Sequence, residues 1–173
     1  MIQERNQLNM AVVGIDFGND NCYISVARQG GIETIANDYS MRDTPSFVGF
    51  GERQRILGVG AKSQFLTNLK RTVFDFKHLL GRSFNDPVAQ EIITSVPYNV
   101  SEGPGGTILI ETSYMGTDRQ FTPEEVTAML MTKLKETAEE ALKTKVKDVV
   151  IGCPCYFTDR ERRSLLDAAA VAG

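Results

Sequence analysis

The chain has 173 residues, with 19 Lys and Arg against 22 Asp and Glu for a formal charge of −3. Hydrophobic residues at 42% and charged residues at 24% fit one soluble globular domain, or one large half of a two-lobed one. The mild negative charge argues against a nucleic-acid partner, and no apolar run approaches the roughly 20 residues of a membrane span. Residues 1–9 are polar, lack the apolar segment of a signal peptide and read as a disordered extension. Three cysteines, an odd number, with no signal peptide point to a reducing, cytoplasmic setting.

In chain order, residues 11–17 read as a buried strand that Gly18 ends, and Asn19-Asp20-Asn21 is turn chemistry. Residues 22–28 and 32–37 alternate as two further strands, so the first three strands form an antiparallel meander. A short strand is expected at 46–50, and short helices at 58–68, 72–80 and from Asp86-Pro87 to Thr94. Strands at 98–100, 107–113 and 119–121 complete a small peripheral α+β part, about 44–121. The strongest helix is 123–143, with Thr122 as N-cap, Pro123 in its first turn and Glu125 closing a capping box. Its expected buried stripe is Val126, Met129, Leu130, Leu134, Ala138, Ala141 and Leu142. A buried strand at 148–152 follows, then a second capping box, Thr158 with Glu161, opening a helix with Leu165, Leu166 and Ala169 inside. A strand meander followed by helix–strand–helix is an α/β layout of the ribonuclease-H-like kind, and such a topology does not by itself give a function.

Chemistry can sit in three places. The first is Gly14-Ile15-Asp16-Phe17-Gly18-Asn19-Asp20-Asn21. A carboxylate ends a strand, a glycine allows close approach to the backbone, and a tight polar turn can cradle an anion while Asp16 holds a hydrated Mg²⁺. An ordinary capped hairpin has the same residues. The second is Lys77, a compact cation suited to a phosphate or an attacking water, although most helical lysines are solvated surface. Its neighbour His78, the only histidine, is a surface or packing residue. The third is the turn Cys153-Pro154-Cys155-Tyr156-Phe157, where a strand feeds a capped helix. Its cysteine spacing is not that of a zinc knuckle, and its cysteines read as small buried thiols. A ribonuclease-H-like nuclease needs several convergent carboxylates, and the strand Val149-Val150-Ile151-Gly152 carries none.

Six blocks together resemble the start of the ATP-binding domain of the heat-shock protein 70 superfamily: 14–18, Ile35-Ala36-Asn37-Asp38, Thr44-Pro45-Ser46, 72–82, Phe121-Thr122-Pro123-Glu124-Glu125 and 154–159. They occur in the family's order and spacing over 12–173. Val26-Ala27-Arg28, Gly31-Ile32-Glu33, Gly49-Phe50-Gly51 and the run from Thr158 to Arg163 are more similar to the larger heat-shock protein 110 branch. The resemblance implies one lobe of an actin-like ATPase over residues 10–173, using ATP or ADP with Mg²⁺. By this resemblance Asp16 lies near Mg²⁺ and the phosphates, and Gly18 with Asn19, Asp20 and Asn21 forms the first phosphate loop. Lys77 positions the attacking water, while Pro154, Tyr156 and Arg162 couple nucleotide state to the rest of the chaperone.

Two departures shape what is expected of this chain. Asn19, Asp20 and Asn21 stand where the conventional chaperones have two threonines and a tyrosine, and Asp20 adds negative charge beside a polyphosphate. The residues end before the family's second phosphate loop, second lobe, adenosine pocket, peptide-binding domain and lid. The expected protein is therefore a truncated ATP-binding domain of a heat-shock protein 110-like chaperone. That branch serves as nucleotide-exchange factor for heat-shock protein 70 and holds unfolded client proteins. Weak ATP binding, no hydrolysis by this chain alone and self-association of the lobe are expected. The alternative is a stand-alone interaction module without nucleotide.

Overall fold

The computed structural model describes residues 11–28 and 30–173, so the expected extension at 1–9 lies outside the described residues. Strands β1 (Ala11–Phe17), β2 (Asn21–Arg28) and β3 (Gly31–Ile35) form the antiparallel meander. Ile15 faces Ile24 across β1–β2, and Ile24 faces Ile35 across β2–β3, so one side of the sheet is a continuous apolar row. A short β4 (Asp43–Pro45) pairs with the start of β2, placing Thr44 opposite Cys22.

Of the strand expected at 46–50 only β5 (Val48–Phe50) forms, and β4 ends just before that stretch. Strand β6 (Arg55–Leu57), which follows a charged Glu52-Arg53 turn, is not visible in the sequence pattern. Helix α1 (Val59–Ser63) covers half of the expected 58–68 helix, and a separate 3-10 turn follows at Phe65–Thr67. The expected helix at 72–80 is not one. Thr72 and Val73 form β7 (Thr72–Val73) against β5, and Asp75 then turns left-handed at φ 59°. Only a 3-10 turn, Phe76–Leu79, remains helical. Two β-branched residues favour the ladder, and one left-handed residue stops an α-helix from passing through.

Helix α2 (Pro87–Ser95) starts on Asp86, whose carboxylate accepts from the backbone N–H of Val88 and Ala89. Strands β8 (Asn99–Glu102), β9 (Ile108–Tyr114) and β10 (Thr117–Phe121) form a third sheet with β9 in its centre. This sheet joins the main core through Phe50, which stacks on Phe121 with ring centroids 5.1 Å apart.

Helix α3 (Pro123–Leu142) carries the expected capping box: Glu125 N donates to Thr122 Oγ1 at 3.2 Å, and Thr122 N donates to Glu125 Oε2 at 2.8 Å. We expect Thr122→Ala to cost about 1 kcal/mol in urea unfolding, with the slope unchanged. Val126, Leu130, Leu134 and Ala138 are buried as the periodicity requires. Met131 is buried too, Met129 is only half-buried, and Ala141 is exposed, because the stripe turns away from the sheet in the last turn.

Strand β11 (Val146–Gly152) returns parallel to β1, giving the order β11-β1-β2-β3. It was expected to be buried, but it lies at the sheet edge with Val149 and Val150 exposed. Among the described residues β11 pairs with β1 alone. Helix α4 (Asp159–Ala172) packs on α3 through Leu165 and Ala168, whereas Leu166, expected inside, is 67% exposed.

Candidate functional site

The end of β1 is tied down from two other parts of the chain. At Gly18 a Cβ would stand 2.1 Å from the carbonyl oxygen of Asn21, so the turn closes only on glycine. Ser46, at the end of the Thr44-Pro45-Ser46 block, holds this turn twice. Its Oγ donates to the Gly18 carbonyl at 2.8 Å, and its N–H donates to the Asp20 carbonyl at 2.8 Å. Cys22 lies beneath, with Sγ 3.3 Å from Ser46 Oγ. Burial pushes the Cys22 thiol up to about 11, against the opposing Ser46 bond and the Lys77 charge.

The second tie is Lys77. It comes from the 3-10 turn, is buried, and its Nζ donates to the carbonyl of Phe17, 60 positions away in sequence. The ammonium also lies 5.8 Å from the centre of the Phe17 ring and 5.9 Å from that of Phe157, within cation–π range. Burial pulls the Lys77 ammonium below the ordinary lysine range, and the nearby Cys22, Asp16 and Cys153 work against that shift. The sequence places Lys77 on an α-helix, where most lysines are solvated; the break at Asp75 is what turns this one inward.

Asp16 is exposed on β1, opposite Gly152 of β11, so the Cys153–Phe157 turn starts beside the same strand end. Asp20 is exposed as well, which places its charge in screening solvent. Asn19 Nδ2 donates to Asp75 Oδ1 at 2.5 Å. The side-chain oxygens of Asn19 and Asn21 are buried and accept from no donor among the described residues. The exposed Asp16 carboxylate fits the water shell of a divalent cation, and the Lys77 ammonium fits a phosphate.

The residues that the resemblance assigns to coupling divide. Arg162 reaches back across the strand-to-helix turn. It donates through Nε to the Phe157 carbonyl at 2.9 Å, through Nη1 to Cys153 Sγ at 3.0 Å, and through Nη2 to the carbonyls of Pro154 at 3.4 Å and Cys155 at 3.2 Å. Tyr156 is 68% exposed and touches Phe157 edge-on. The turn therefore meets Lys77 through Phe157, which the sequence reading did not single out. The cysteines are not uniformly buried: Cys153 is half-buried and Cys155 is exposed.

The sequence reading also missed Glu161 and Arg82 as partners. Glu161 is buried, closes the Thr158 capping box and accepts from Arg82 Nη2 at 2.7 Å. Arg82 in turn donates to the His78 carbonyl at 3.0 Å and to both oxygens of Asp86. The loop that follows Lys77 is thereby fastened to the first turn of α4.

Among the described residues no helix is long and apolar enough to cross a membrane. The family model described as "Hsp70 protein" matches residues 12–173. The chain is 51% identical over 164 residues to human "Heat shock 70 kDa protein 4", covering 95% of this chain and 20% of that protein. It is 51% identical over 166 residues to "Heat shock protein 110" of Caenorhabditis elegans, covering 95% and 21%. It is 48% identical over 164 residues to "Heat shock 70 kDa protein 14" of Arabidopsis thaliana, covering 95% and 20%. The chain thus spans about a fifth of the length of these curated relatives. With an actin-like ATPase lobe in hand and a family model covering nearly every residue, the chain belongs to the Hsp70 family.

Proposed function

We propose that this lobe supplies one wall of a Mg²⁺–nucleotide cleft in a cytoplasmic heat-shock protein 110-like chaperone, the facing wall coming from a second lobe. In that reading the whole protein acts as exchange factor for a heat-shock protein 70 and holds unfolded clients. The observation that carries it is the meeting of Lys77 with the carbonyl between Asp16 and Gly18, from 60 positions away in sequence. Bound Mg²⁺ supplies positive charge against the phosphate oxygens. Asp16 would accept from the hydration shell of the ion, Gly18 lets the loop close beneath the ligand, and Lys77 would give its ammonium to a phosphate in exchange for the Phe17 carbonyl. Pro154, Tyr156 and Arg162 pass the state of the cleft onward through the turn that abuts Lys77.

One wall offers about half of the contacts, so the chain by itself is expected to bind Mg·ADP only at millimolar concentration and to hydrolyse no ATP. Amide resonances of Asp16, Gly18, Asn19 and Lys77 are expected to shift on titration, with Lys77→Ala weakening the effect about tenfold. Micromolar affinity in calorimetry would contradict the single-wall reading. Unmoved resonances at millimolar Mg·ADP would leave the nucleotide-free interaction module instead.

A further inference from the structure

Two three-residue segments meet twice beside the phosphate loop. Lys77 Nζ donates to the Phe17 carbonyl, and two positions away on each side Asn19 Nδ2 donates to Asp75 Oδ1 at 2.5 Å. The contacts close a ring that runs from Phe17 through Asn19 to Asp75, along the chain to Lys77 and back. Asp75 holds a left-handed φ of 59°, which a non-glycine residue keeps only when its surroundings fix it. Phe76, Leu79 and Leu80 bury the core side of this turn, and Arg82 fastens its far end. On the side that faces the loop, the carboxylate of Asp75 meets the Asn19 amide, with His78 Nδ1 a longer 3.8 Å from the same oxygen. A hydrogen bond to an ionised acceptor is among the stronger ones a turn can use.

We infer that Asn19 is a positioning residue for Lys77: clamped to Asp75, its amide holds the Lys77 turn against the end of β1 and sets where the ammonium stands before a phosphate arrives. The functional meaning of the clamp rests on the nucleotide reading above, but the clamp itself does not need a nucleotide to be observed. It gives Asn19 a task other than direct phosphate contact. It also explains how a loop with an amide at this position keeps the lysine in register.

The test is the rate at which Lys77 of the intact chain is amidinated by methyl acetimidate, read by mass spectrometry, with exposed Lys145 as internal reference. Loss of a bond to a charged acceptor is expected to speed Lys77 labelling about tenfold in Asn19→Ala. Amide exchange at Leu130 and Leu134 in α3 should stay unchanged. Asp75→Asn keeps an acceptor oxygen and should label within about twofold of the parent. Asp75→Gly is the decisive variant, because glycine relaxes the left-handed backbone while deleting the acceptor. A turn held only by its backbone and core would label no faster in Asp75→Gly, whereas the clamp predicts the same acceleration as Asn19→Ala. Parental labelling rates in Asn19→Ala and Asp75→Gly would overturn the proposal, as would Asp75→Asn matching Asp75→Gly. Failure of Mg·ADP to shift the loop resonances removes the nucleotide reading and leaves these labelling outcomes untouched, so the two failures are distinguishable.

Discussion

Replacing Gly18 by alanine is expected to destabilise the chain by about 3 kcal/mol, a fall in melting temperature of roughly 6–12 °C for a protein of this size. The added methyl would stand 2.1 Å from the Asn21 carbonyl oxygen, and that atom belongs to backbone, not to a side chain that can swing aside. The turn cannot open freely either, since Ser46 binds both the Gly18 and the Asp20 carbonyls. Gly49→Ala is the matched control: its methyl would meet Ala61 Cβ at 3.5 Å, an ordinary contact. Thermal melts of the two variants decide the matter. Equal, small losses would show that the loop does not close against the Asn21 carbonyl. A large loss confined to Gly18→Ala, with early exchange of the Cys22 and Ser46 amides, is the expected outcome.

Glu161→Ala is expected to cost about 3 kcal/mol, because it strands the groups that its buried carboxylate serves. The Thr158 backbone N–H and hydroxyl each lose a 2.7 Å bond, and Arg82 loses its 2.7 Å partner, though it keeps Asp86. Glu161→Gln retains an acceptor for the cap and should lose less than half as much. The two differ in acid as well. Burial of Glu161 opposes its charge, but the Thr158 bonds and Arg82 outweigh that and hold the carboxyl below the usual 4.5. Its folded value lies below its unfolded one, so the stabilisation is complete above about pH 4.5 and fades as pH falls through the folded value. Urea midpoints measured from pH 6 to pH 3 should therefore drop more steeply for the parent than for Glu161→Gln. Parallel curves would show that the Arg82 pair does not contribute.

Much of the architecture is written locally. Apolar alternation in residues 11–35 gives three strands of correct order, because a period of two leaves only one way to bury Val13, Ile15, Ile24 and Ile35 together. The Thr122 and Thr158 caps are legible because side chain and backbone that bond each other lie three residues apart. Residues 72–80 were misread for the opposite reason. Their apolar spacing suits a helix, while the partner that makes Thr72–Val73 a strand is β5, more than twenty residues earlier. The outward face of Leu166 and the edge position of β11 likewise depend on which neighbours stand where.

The sequence by itself determined the strand meander, the two capped helices and the family, since each rests on short-range patterns or on blocks in a fixed order. Only the tertiary structure decided the site. A left-handed Asp75 turns Lys77 inward onto the Phe17 carbonyl, Asn19 meets Asp75, and Phe157 closes on the same ammonium. Those contacts join residues 56, 60 and 80 positions apart. Local pattern carries no information about such pairs, because what brings them together is the shared burial of the elements that bear them.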